Sequence, residues 1–150
     1  MADWYGMCRS NYVIPKDPEA FRDYVELFPA KYIELLDRGG VLHCGFYSID
    51  EYGGLPSVHI EEEEVALPFR ELGLRAELDD TLNIMEGIHT VLAPNQVIYA
   101  MEVGNEKQRY ATGKAFWADS NGNIDMIDLE TIVRERIIEQ YSISPTFAEY

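Results

Sequence analysis

The sequence predicts an α+β domain, a mostly antiparallel sheet with about three helices packed on one face. Two observations carry that reading. Several short runs alternate apolar with polar residues and are bounded by Gly, Pro, Asn or Asp, as half-buried strands are. Between them, three stretches place apolar residues three and four positions apart behind an aspartate able to cap a helix, at Asp17, at Asp79-Asp80 and at Asp128.

The first strand runs from Cys8 to Ile14 and is ended by Pro15. Asp17-Pro18 then opens a helix over 18–28, with Phe21, Val25 and Phe28 on its apolar face and Pro29 as its stop. Lys31 to Asp37 reads as a second strand, Arg38-Gly39-Gly40 as a tight turn, and Val41 to Ile49 as a third strand. A loop with Gly53-Gly54 and Pro56 follows, and a fourth strand begins near Ser57 and continues into Glu61-Glu62-Glu63-Glu64. Phe69 to Glu77 is ambiguous, a short helix interrupted at Gly73. Behind Asp79-Asp80, the spacing of Leu82, Met85, Ile88 and Leu92 predicts a clearer helix, ended by Pro94-Asn95. Three strands follow, Gln96 to Val103, Gln108 to Ala118 and Ile124 to Asp128, the last two joined through an Asn121-Gly122 hairpin turn. Asp128 caps a final helix striped by Leu129, Ile132, Val133, Ile137 and Tyr141. Residues 142–150 form a tail.

A chain of 150 residues is long enough to bury a sizeable core, and there is no sign of a second domain or an internal repeat. Hydrophobic residues make up 47% and aromatics 12% of it, far from the composition of a disordered acidic chain. The outlying property is charge: 27 acids against 12 bases give a net of −15. Residues 61–90 hold 9 acids and 2 bases, a net of −7, whereas the segments on either side each carry −4. Direct binding to nucleic acid or to an anionic membrane is disfavoured, because both rest on Lys and Arg neutralising phosphates. Basic surfaces of other proteins are favoured partners. No leader-like segment or membrane-length apolar run is present, which predicts a cytoplasmic protein. In a reducing compartment Cys8 and Cys44, which form no C-x-x-C, read as buried thiols.

Candidate chemistry is sparse. His59 and Glu61 spell H-x-E, but the P-C-x-x-C of a zinc deaminase is missing. On a strand, His59, Glu61 and Glu63 would share a face and could gather a metal with His43, although a solvated strand face explains them better. His43 and Cys44 are neighbours on a strand and point to opposite faces, so a nucleophile pair would need Cys44 to meet His59 or His89 instead. The run Asp119 to Asp125 places its glycine at the fourth rather than the sixth position of a calcium loop, and a hairpin accounts for it. No catalytic residue, metal site or cofactor is predicted.

Two segments carry a family likeness: Arg9-Ser10-Asn11-Tyr12 through Lys16-Asp17 to Phe21, and Met101-Glu102-Val103-Gly104-Asn105-Glu106-Lys107-Gln108-Arg109-Tyr110. Together they resemble small acidic accessory proteins carried on bacterial plasmids, integrative elements and phages. The resemblance implies a setting in which accessory genes counter host defence, where acidic proteins that occupy nucleic-acid-binding surfaces recur. The expected function is therefore a non-enzymatic, DNA-mimic-like inhibitor of the anti-CRISPR or anti-restriction type. Its partner would be a basic nucleic-acid-binding surface of a host defence protein. Glu61, Glu62, Glu63, Glu64, Glu71, Glu77, Asp79, Asp80 and Glu86 are the expected binding residues, with Tyr52, Trp4 or Tyr5 as aromatic anchors. As a strand, the glutamate run would put Glu61 and Glu63 on one face and Glu62 and Glu64 on the other. The alternatives are an adaptor that makes contact through the sheet around Tyr110, Thr112 and Trp117, and a small metal-dependent hydrolase using His43, His59 or Cys44.

Overall fold

The computed structural model describes residues 4–50, 52–106 and 110–145. Among these, the chain forms β1 (Trp4–Ser10), α1 (Pro18–Glu26), β2 (Ala30–Leu36), β3 (Leu42–Ser48), β4 (Ser57–His59), α2 (Glu63–Glu71) and β5 (Thr81–Asn83). A 3-10 turn at Ile88–Val91 leads into β6 (Val97–Glu106), β7 (Tyr110–Asp119), β8 (Ile124–Asp128) and α3 (Leu129–Tyr141). Six strands make one sheet in the order β2-β3-β1-β6-β7-β8, while β4 and β5 form a separate two-stranded ribbon. Every pairing is antiparallel. This is the α+β arrangement that the alternating runs and Asp-capped stretches predict.

Strand alternation decides what is buried. On one face of the sheet Cys8, Ser10, Cys44, Phe46, Ile98, Ala100 and Ala118 are buried, and they share a core with Phe21, Tyr24 and Val25 of α1 and with Phe28, two residues past its end. The α1 start forms as the sequence dictates: the Asp17 carboxylate accepts from the Glu19 and Ala20 amides, and Pro18 occupies the first turn. Between β1 and β3 the pairing shifts from Arg9↔Tyr47 to Val13↔Cys44, one residue more on the first side than on the second. That is a bulge. The Ser10 hydroxyl fills it, accepting from the Phe46 amide at 2.8 Å. Gly45 is needed opposite, since a Cβ there would sit 2.7 Å from the Asn11 carbonyl oxygen.

The segment 57–92 departs from the predicted order. The fourth strand stops at His59, Ile60 is fully buried, and the glutamates begin a helix: Glu62 is the N-cap of α2, with Glu63 and Glu64 in its first turn. Carboxylates there face the positive end of the helix dipole, a preference that a period-two reading overlooks. Pro68 lies inside α2. The predicted helix behind Asp79-Asp80 is instead β5, a turn and the 3-10 turn. Asn83 diverts the backbone, its side-chain oxygen accepting from the Met85 amide at 2.9 Å while its own amide donates to Glu86 at 2.6 Å. Met85, Ile88 and Leu92 are nonetheless buried.

The C-terminal part also differs. The Asn121-Gly122 hairpin forms, with Gly122 at φ 87° and the Asp119 carboxylate accepting from the Asn121 and Asn123 amides. On the outer edge of β8, the Met126 amide donates to the Asp125 side chain at 2.8 Å. Asp128 caps α3 as predicted, yet this third helix buries none of its residues and, among the described elements, touches only β7 and β8. Its apolar residues do not make one stripe, for Ile138, nine positions after Leu129, falls on the opposite side of the helix. The second face of the sheet is left open, with Met7, Tyr99, Met101 and Val103 all exposed.

Candidate protein-binding site

The acidic segment folds into a lobe of α2 and the β4–β5 ribbon. The β4–β5 ribbon pairs His59 with Thr81, and beyond it the Ile60 amide donates to the Asp80 carbonyl at 2.8 Å while the Asp79 amide donates to the Ile60 carbonyl at 2.9 Å. Glu61 and Glu62 therefore leave the ribbon beside Asp79 and Asp80. Arg70 draws the two ends of α2 together by pairing with Glu63 near the helix start, while its Nε donates to the Ala76 carbonyl at 2.8 Å. The Glu63 carboxylate holds the Arg70 guanidinium above its ordinary pKa. Asp80 accepts from the Glu77 amide at 3.0 Å, and Glu77 pairs with Arg75 at 3.4 Å.

Both bases of residues 61–90 are thus committed inside the lobe, to Glu63 and Glu77. Glu61, Glu62, Glu64 and Glu71 are exposed and have no ion pair among the described residues. They are not a two-faced ladder: Glu61 precedes α2, Glu62 caps it, and Glu64 and Glu71 lie in its first and last turns.

Beside them lies a cleft of about 210 Å³ lined by Tyr24, Phe28, Phe69, Leu74, Arg75, Leu82, Asn83, Glu86 and Gly87. Its floor is aromatic, with Phe28 and Phe69 edge-on at 5.5 Å between centroids. Gly87 permits the close approach of the walls, since a Cβ there would lie 2.2 Å from Leu74 Cδ1. The cleft, and exposed Asp23 and Glu26 flanking Tyr24 and Val25 on α1, escape a sequence reading because they depend on Tyr24 and Phe28 coming together in space with Phe69 and Leu74.

The predicted residues thus separate. Glu61, Glu62, Glu63, Glu64, Glu77, Asp79 and Asp80 come together, Glu71 ends α2, and Glu86 lines the cleft. Tyr52 is exposed on a loop set on the sheet: Gly53, at φ 63°, rests on the Gly6 backbone, and the Leu55 amide donates to Glu102 at 2.7 Å. The side chains of Trp4, Tyr5 and Tyr110 lie outside the described residues.

The disfavoured metal and nucleophile groupings do not assemble among the described residues. Glu63 belongs to α2 and is paired with Arg70, whereas His43 lies on β3, 3.1 Å from Asp37. His59 lies on the ribbon, 3.1 Å from the Thr81 hydroxyl, and no cluster of three or more metal-ligating side chains occurs among the described residues. Cys44 contacts the Tyr32 hydroxyl at 3.0 Å rather than a histidine. Burial raises its pKa, and it pushes the Cys8 thiol up to about 12, with the Glu102 charge adding to the effect. Among the described residues, no helix is long and apolar enough to cross a membrane. No protein family, curated protein or solved structure matches the chain.

Proposed function

We propose that this chain is a non-enzymatic inhibitor from a mobile element that occupies a basic nucleic-acid-binding surface of a host defence protein with its α2 and β4–β5 lobe. The observation that carries this reading is the gathering of a net −7 on one lobe whose two arginines are internally paired. Uncompensated carboxylates on rigid elements can meet Lys and Arg side chains arranged for phosphates, and they steer encounter from a distance. Charge alone gives little affinity at physiological salt. The apolar cleft beside the carboxylates offers a place for an anchoring side chain of the partner. The likeness of the Arg9–Phe21 and Met101–Tyr110 segments to mobile-element accessory proteins supports the setting.

The test is capture of partners from a host carrying defence systems, followed by competition with duplex DNA and affinity measurement across salt. DNA should displace the partner, and affinity should fall steeply as salt rises past the point where the Debye length drops below about 10 Å. The variant Glu61→Gln/Glu62→Gln/Glu64→Gln should bind at least roughly tenfold more weakly with an unchanged far-UV spectrum. Glu63 is kept because of its pair with Arg70. Binding that ignores DNA, salt and this variant would sink the reading.

A further inference from the structure

We infer that the open face of the six-stranded sheet is the contact surface of a two-fold symmetric homodimer. Six large side chains on it, Met7, Val97, Tyr99, Met101, Val103 and Ile127, are 40–62% exposed. On the order of 600 Å² of largely apolar surface lies open there, at the upper limit for a monomer and near the roughly 800 Å² per partner of a standard interface.

The charges on this face fit a second copy. In a chain of net −15, the described positions of β1, β6, β7 and β8 that point this way include one base, Arg9, and two acids, Asp125 and Asp119. Asp119 is bound into its own turn. Arg9 and Asp125 stand on opposite flanks of the patch, on β1 and β8.

The register supplies the symmetry. A two-fold axis running along the strands between β6 and β7 lays β1 of one copy over β8 of the other and β6 over β7. Met101 pairs with Ala115, Val103 with Gly113 and Tyr99 with Trp117 across β6 and β7. The same rotation therefore seats Met101 of one copy over Ala115 of the other and Tyr99 over Trp117, while Val97 meets the turn-bound Asp119 and Val103 meets Leu129, which packs against Gly113. Arg9 lies in the row of Ile127, so it comes to rest one row, about 6.7 Å, from Asp125 of the second copy, within reach of its long side chain. Such a contact is isologous and closes at two chains.

Sedimentation and light scattering of the full chain should give twice 17.2 kDa, with association strengthened by salt because repulsion between two acidic chains is screened. That trend is opposite to the one expected for the acidic lobe, so the two readings fail separately. Met101→Glu and Val103→Glu, each checked for fold by circular dichroism, should be monomers. Arg9→Asp should weaken the dimer at least tenfold, and Arg9→Asp/Asp125→Arg should restore it. A mass of 17.2 kDa at about 100 µM and 0.5 M salt, where an interface of this size should associate, overturns the inference. Dimers unaffected by both glutamate substitutions overturn it too, and failure of the charge exchange to restore association overturns the two-fold arrangement.

Discussion

The Tyr24 hydroxyl of α1 donates to the Ile84 carbonyl at 2.7 Å, and the same oxygen accepts from the Gly87 amide at 3.1 Å. One side chain thereby satisfies two backbone groups in the turn after β5 and fastens the acidic lobe to the first helix. Burial raises the Tyr24 pKa well above the ordinary tyrosine range, so it remains a donor. Tyr24→Phe keeps the ring but strands both backbone groups, and should cost about 1–3 kcal/mol. Urea unfolding should show a lower midpoint at unchanged slope.

Glu62 caps α2 without a side-chain hydrogen bond to the helix. Its carboxylate is one methylene too long for the geometry that Asp17 and Asp128 achieve at the other helices. Glu62→Asp should therefore stabilise the protein by about 0.5–1 kcal/mol while keeping the charge. Thermal melts measure the gain. Because partner binding depends on charge in the proposed function, affinity should be unaffected.

Acid should loosen two turns. Asp37 accepts from the Val41 and Gly39 amides and faces His43, and the Val41 bond first, then His43, hold its carboxyl below the usual range. Asp119 is lowered chiefly by the Asn123 side chain and amide, then by the Asn121 amide. A carboxyl depressed in the folded state contributes its stability above the unfolded value of about 3.9, and loses it as pH falls through the lower folded pKa. Urea midpoints should hold down to about pH 4 and then decline, less steeply in Asp37→Asn and Asp119→Asn than in the parent.

Neither thiol should react in the native state. Cys8 and Cys44 are 1% and 0% exposed, and burial keeps both protonated at neutral pH. A thiol reagent should modify neither in the folded protein and both after denaturation. Rapid native labelling of Cys44 would mean that its contact with Tyr32 opens.

Much of the fold is legible because local chemistry and tertiary packing agree. Asp17-Pro18, the Lys31 to Asp37 and Val41 to Ile49 runs, the Asn121-Gly122 turn and Asp128 all act where their residue types direct. The acidic lobe is less legible. Glu61 to Glu64 extend an alternating run, and nothing local says that Ile60 will be buried and the chain will turn there into a helix. Leu82, Met85 and Ile88 have helical spacing, yet the Asn83 turn and the contact of Gly87 with Tyr24 impose another path. Tertiary packing decides both cases, the pairing of Ile60 with Asp79 and Asp80 in the first and Tyr24 of α1 in the second, and a single sequence does not display it. The acidic residues of the candidate site were nameable from charge alone; that Glu63 serves the fold while Glu61, Glu62 and Glu64 remain uncommitted was not.

The small contact between the Met126 amide and the Asp125 carboxylate bears on how this chain avoids fibrous growth. A terminal strand with exposed Ile124, Met126 and Ile127 would ordinarily template the addition of further strands, sheet upon sheet. With one outward amide already occupied and a negative charge fixed beside it, the rim is a poor primer. Polymerisation along the hydrogen-bonding direction is thereby discouraged, even while the apolar surface around it stays available.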